Sequence, residues 1–317
     1  MKRHRFQNKV AGSEFTLPVC AILAAILWWW PEGTFSLRNA LGLMVSLLTT
    51  YFVMETNARQ HIIRIRTRMM SCVWLVLSTC LAFMHPFGEP IVAAALLSVS
   101  YMLLFRCYQR HRPQAYAFHA FLMLSMGSFC TPIMLLMAVP FFLYLVFFLR
   151  NLTSKTFWAG IVGLIAPYWC YAIWCFATND MPRFLGHLSS MIQIEKPCLD
   201  ALVGLPFSVQ ASAAVIALLS IVGIVNYLRN NYNDKIRVRM ILYIYVAQTL
   251  LLMALLLLQP THYQETMALL VASASPLIAH YFSLTGSILS NLFFILSLLL
   301  TAAMATLNLW MTSFSIY

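Results

Sequence analysis

The chain has 317 residues, of which 62% are hydrophobic and only 9% charged, and it carries a net charge of +11. A soluble domain carries roughly 25% charged residues, so this composition excludes a water-soluble globule and makes lipid the natural solvent. The basic residues sit in short clusters between apolar runs, the pattern of a membrane topology determinant and not of a nucleic-acid surface, so no nucleic-acid partner is expected.

In lipid every backbone polar group has to be paired internally, which leaves helices or closed barrels. Barrel strands alternate apolar and polar residues, whereas runs such as Leu250 to Leu258 are continuously apolar. The expected fold is all-α: a polytopic membrane helix bundle of about 11 spans, within a range of about 10–12.

A basic tail over 1–14 precedes a single transmembrane domain over 15–317. The first span, Phe15–Trp30, opens like a secretory signal but closes on Trp28-Trp29-Trp30-Pro31 instead of a small-residue cleavage site. It is read as an uncleaved helix ending in an interfacial tryptophan belt. Five spans are then expected at Asn39–Met54, Met69–Met84, Pro90–Phe105, Ala115–Cys130 and Thr131–Leu149. The later ones fall at Thr156–Ala177, Leu205–Leu228, Met240–Leu258, Met267–Phe282 and Gly286–Trp310. None of the 20 basic or 9 acidic residues lies inside these segments, as the insertion cost of a mid-helix charge requires. Small residues at Ala159, Gly160 and Gly163, and from Ala272 to Ser275, mark close helix contacts. Pro276 is expected to kink or break its span.

The charges also set an orientation. With the N-terminus inside, the cytoplasmic loops collect Lys2, Arg3, Arg5, Lys9, Arg59, Arg64, Arg66, Arg68, Arg106, Arg110, Arg112, Arg150, Lys155, Arg229, Lys235, Arg237 and Arg239. Only Arg38, Arg183 and Lys196 remain outside, together with six of the nine acidic residues. That asymmetry is the positive-inside pattern with the N-terminus cytoplasmic; anionic phospholipid headgroups are expected as partners of the basic loops, with other membrane proteins as further candidates.

Candidate chemistry lies on the outer face. Glu32, Glu89 and Glu265 are the candidate general bases, because carboxylates at one membrane face are what acid–base catalysis needs. His85, Asp180, Arg183 and His262 are the candidate ligand-binding residues there. The simpler reading of each is a polar cap where a helix emerges into water; Asp180, before Met181-Pro182, suits an N-cap. No cofactor or metal is expected, since the eight cysteines lack a C-x-x-C pair. The outer loop 178–204 places Met181, Phe184, Leu185, Leu188, Met191 and Ile192 at helical spacing. This predicts an amphipathic surface helix near 181–194, either a plain re-entry connection or a roof over a lateral opening for lipid.

The stretches Leu-Leu-Phe-Arg-Cys-Tyr (103–108), Ala-Phe-His-Ala-Phe-Leu (117–122), Ser-Phe-Cys-Thr-Pro (128–132) and Ser-Pro-Leu-Ile-Ala-His-Tyr (275–281) together resemble an uncharacterised bacterial family of multi-pass inner-membrane proteins. The resemblance implies membership and no activity. Glu265, standing just before Met267, also bears a distant resemblance to the C superfamily of glycosyltransferases. Those enzymes carry a catalytic Asp or Glu in a long first outer loop, whereas here that loop offers only Glu32. Three readings emerge: a non-enzymatic envelope or membrane-complex component, a lipid-linked sugar transferase acting at the outer face, and a carrier for a lipid or small solute.

Overall fold

The computed structural model describes residues 5–30, 36–192 and 204–314. Their regular structure is all helical, with no strand among them. In chain order the helices are α1 (Phe6–Gly12), α2 (Thr16–Trp29), α3 (Leu37–Gln60), α4 (Met69–Cys80), α5 (Glu89–Leu104), α6 (Gln114–Gly127) and α7 (Pro132–Leu136). Then come α8 (Ala138–Phe147), α9 (Ser154–Ala177), α10 (Met181–Ile192), α11 (Phe207–Asn230), α12 (Ile236–Leu258), α13 (Tyr263–Leu284) and α14 (Ile288–Phe314).

Seven of these, α3, α5 together with the 3-10 turn Phe105–Cys107 that extends it, α9 and α11 to α14, are long and apolar enough to cross a membrane, and on that ground the chain is membrane-embedded. An eighth arises if α1 and α2, bent by 91°, count as one span. The expectation of about 11 spans is corrected accordingly. A helix rises 1.5 Å per residue, so the 12 residues of α4 reach only about 18 Å of a hydrocarbon core roughly 30 Å thick. Nor does α4 need to match the bilayer, because most of its side chains, Trp74 and Leu75 among them, are buried in protein. The 14-residue α6 is short for the same test. The segment expected as one span over Thr131–Leu149 divides at Met137 into α7 and α8. The break expected between Ala115–Cys130 and Thr131–Leu149 does appear, as a turn from Ser128 to Thr131.

The core is organised around α13. Its side chains are buried without interruption from Thr266 to His280, and α4, α5, α11 and α12 all pack on it. Small residues make that possible: Ala268, Ala272, Ser273, Ala274 and Ser275 keep its surface thin, so neighbouring backbones come close. A Cβ added at Gly223 of α11 would stand 3.1 Å from the Leu277 carbonyl oxygen. With no water at this depth the hydroxyls have to find partners. Ser273 pairs with the Tyr101 hydroxyl at 2.8 Å, and Ser275 donates to the Val271 carbonyl. Pro276 neither breaks nor ends α13, which continues to Leu284. The phenolic ring of Tyr101 is itself clamped among Phe105, Phe141 and Tyr245.

A second close contact joins α6 to α9. A Cβ at Gly163 would overlap the Phe118 carbonyl oxygen, and one at Gly160 would meet Phe121 and Phe142. Small residues were expected to mark helix contacts here, and they do. The surface helix also appears, as α10, seated on the end of α9 by Phe184 against Tyr171 and Arg183 over Trp174.

Connections gather at two ends of the bundle. At one, Gln7 donates to the carbonyls of Phe282 and Thr285, and Arg237 bonds Gln60. At the other, the Phe87 N–H donates to the Arg38 carbonyl, and Asn308 donates to the Cys80 carbonyl and the Ser212 hydroxyl. The last helix therefore runs from the first of these ends to the second.

The Gly163 contact yields a direct test. Gly163→Ala should destabilise the bundle by about 1–3 kcal/mol, the range for overpacking a tight contact, read as a lower thermal midpoint in detergent. Gly12→Ala, where nothing stands within 4 Å, should leave that midpoint unchanged.

Candidate functional site

At the end of the bundle that holds the Phe87–Arg38 contact, Glu89 opens α5 as an exposed residue, and Glu265 lies half-buried in the first turn of α13. An acidic residue there complements the positive end of a helix dipole. Both carboxylates stand near Cys130 in the turn between α6 and α7. Partial burial first, and then the charges of Glu89 and Glu265, push its thiol up. Glu32 lies outside the described residues. His262 sits half-exposed in a 3-10 turn before α13, its carbonyl accepting from the Thr266 hydroxyl. Asp180 immediately precedes α10, where its carbonyl accepts the Arg183 N–H at 3.2 Å, and the Arg183 guanidinium lies 5.8 Å from the Trp174 ring.

His85 is a different kind of residue. It is buried, with 2% of its surface exposed, and stacks on Trp28 with ring centroids 4.3 Å apart. Its Nε2 donates to the Thr79 carbonyl at 2.8 Å, and the Trp28 indole N–H donates to the His85 carbonyl at 2.9 Å. α3 approaches the same loop so closely that a Cβ at Gly42 would overlap the His85 carbonyl oxygen. These contacts make His85 a pin between α2, α3 and the loop before α5. Burial disfavours the imidazolium and pushes its pKa down to about 4.

The opposite, basic end holds residues that the sequence pattern does not single out. Asp234, between α11 and α12, is buried, yet it pairs with Arg64 Nε at 3.0 Å and accepts from His280 Nε2 at 3.1 Å. Tyr227 stands edge-on to the His280 ring and donates its hydroxyl to the Arg239 carbonyl. A buried carboxylate is tolerated only when its charge is met by partners such as these. Sequence spacing could not have found the set, because Arg64, Asp234 and His280 lie in three distant segments. The one signal in the sequence was that Asp234 is an acid alone among basic neighbours, and His280 a titratable group within an otherwise apolar run.

Beside Arg64 lies a cavity of about 760 Å³, bounded by the Gly12-Ser13-Glu14 corner, by α3 from Met54 to His61, and by the loop Ile63 to Arg68. Asn57 holds that loop at two points: its Oδ1 accepts the Ile63 N–H at 3.1 Å, and its Nδ2 donates to the Thr67 carbonyl at 3.4 Å. His61, which ends α3 in the left-handed region at φ 51°, turns the chain into the loop. Among the described residues no three His, Cys, Asp or Glu side chains come together as a metal site would need.

Two measurements probe these groups. The unfolded chain takes up the His85 proton near its ordinary value of about 6.5, and the folded chain only near about 4. Stability should therefore hold above pH 6.5 and fall as pH drops through that window, while a His85→Gln variant, less stable throughout, shows a flatter acid slope in thermal midpoints. Asp234→Ala should cost about 2–4 kcal/mol, because the Arg64 and His280 contacts are lost together; chemical unfolding in detergent reads it.

Comparison with protein-family models, with curated proteins and with solved structures finds no match for this chain.

Proposed function

We propose that the chain is a non-enzymatic, multi-pass component of a bacterial cytoplasmic membrane, with its N-terminus inside, acting in the envelope or as a subunit of a membrane complex. The observation that carries this reading is the set of buried polar bonds that tie one helix to the next. Several buried polar side chains are engaged from one helix to the next: Tyr144 donates to Gln248, Gln248 reaches Met137, Tyr101 pairs with Ser273, and Asn308 joins α14 to α4 and α11. Helix-to-helix bonding of this kind stabilises a bundle and offers no reacting centre. The orientation is supported by the clustering of basic residues along the sequence and by the meeting of two basic loops at one end, where the Arg64 guanidinium bonds Asp234 and the Asn233 carbonyl. The face of α9 that carries Trp158, Val162, Ile165 and Trp169 is exposed, which suits contact with lipid or with a partner helix.

The resemblance to a family of multi-pass inner-membrane proteins agrees with this reading. A second reading, a lipid-linked sugar transferase of the kind found in the C superfamily of glycosyltransferases, draws on Glu89 and Glu265, which stand in the first turns of α5 and α13. Complementation separates the two. In a deletion strain, Glu89→Gln, Glu265→Gln and the double variant should each restore the wild-type phenotype. Failure of the variants at normal membrane abundance would replace the structural reading with the transferase.

A further inference from the structure

The basic-end cavity and a second, apolar one are lined by adjoining stretches of chain. The apolar cavity, of about 90 Å³, is lined by α1, α2, α4, α11, α13 and α14. Both cavities draw on the same two stretches of chain. Gly12, Ser13, Glu14, Thr67 and Arg68 line the basic one, while Val10, Thr16 and Met69 line the apolar one. These stretches are fastened together. The Thr67 hydroxyl donates to the Ala11 carbonyl at 2.6 Å, Arg68 donates to the Glu14 carbonyl at 3.4 Å, and the Thr16 hydroxyl donates to the Val10 carbonyl at 2.7 Å. A polar chamber thus stands against an apolar one across the corner where α1 meets α2.

The charges in the polar chamber are already partly allocated. Arg64 is engaged by Asp234, and Glu55 is engaged by Arg59. Arg66 is exposed on the chamber wall, and Arg68 holds only a main-chain carbonyl at the limit of hydrogen-bond length. Glu14 and Glu55 keep the lining from being strongly positive, which disfavours a multiply charged ligand and suits a single negative charge. Exposed Ile65 and buried Ile63 add an apolar wall.

We propose that this pair of cavities binds one monoanionic phospholipid. Its phosphodiester lies against Arg66 and Arg68, its glycerol at the α1–α2 corner, and one acyl chain enters the apolar cavity. A headgroup phosphate in this position meets charge-assisted donors at the membrane–water boundary, while the acyl chain meets only apolar walls and Ser297, Thr301, Thr16, Cys20 and Cys72. The site requires only that the chain is membrane-embedded, so it stands whether the protein is a structural component or a transferase.

Native mass spectrometry of the full chain in neutral detergent tests the assignment with added phosphatidylglycerol, phosphatidylcholine or glycerol 3-phosphate. Wild type should retain one phosphatidylglycerol in preference to phosphatidylcholine. Arg66→Gln should reduce that preference about fivefold, and Arg66→Gln with Arg68→Gln about twentyfold, given the size of single-arginine contributions at an anionic surface. Because Arg68 touches the Glu14 carbonyl, the single Arg66→Gln variant reports even if the double variant unfolds. Ser297→Leu, which narrows the apolar cavity, should weaken retention with both arginines in place. Equal retention of the two lipids, or equal retention by wild type and Arg66→Gln, would overturn the site and leave the arginines as topology determinants. Displacement of the lipid by glycerol 3-phosphate would overturn it in favour of a soluble phosphate ligand.

Discussion

The helix α13 has no lipid face, and its neighbours are arranged to suit that condition. A helix surrounded by other helices in a dry interior has to satisfy every polar atom by itself or through its neighbours. It also has to be thin enough for several backbones to reach it. The alanines and serines from Ala268 to Ser275 meet the second demand, and the hydroxyl bonds of Ser273 and Ser275 meet the first. Neighbours answer in kind, with Gly223 on α11 lying against the Leu277 backbone and Tyr101 on α5 reaching Ser273.

Because the middle of the bundle is closed in this way, charge is confined to its ends, and the two ends differ. The basic end is where distant loops meet through ion pairs and side-chain-to-carbonyl bonds: Arg64 with Asp234, Gln7 with Phe282, Arg237 with Gln60. It is also where a sizeable cavity remains, propped by Asn57 and by the bend between α1 and α2. The opposite end is held by close packing of a few large groups. Trp28, His85 and the Gly42 contact fix the loop before α5, while α10 covers the end of α9.

The short helices result from the same closure. α4 is too short to cross the hydrocarbon, yet it costs nothing in exposed backbone because α2, α3, α13 and α14 surround it. A buried element is matched to its protein neighbours and not to the bilayer, so hydrophobic length ceases to report crossing.

The order of residues alone establishes an all-helical membrane protein whose charges lie in loops and near helix ends, whose small residues mark close contacts, and whose α9 is succeeded by a surface helix. Each of these rests on a local rule: the transfer cost of charge, the 3.6-residue period, the size of a side chain. Which polar residues stand together was settled by tertiary packing and by nothing less. His85 reads as an outer-face ligand in the sequence, but Trp28 and Thr79, brought from other segments, make it a buried pin. Asp234 and His280 read as a loop acid and a residue of an apolar run, until folding places them on either side of one hydrogen bond beside Arg64. The number of spans escaped the sequence for a related reason. Hydropathy records whether a segment avoids water, and burial in protein satisfies that demand as well as burial in lipid.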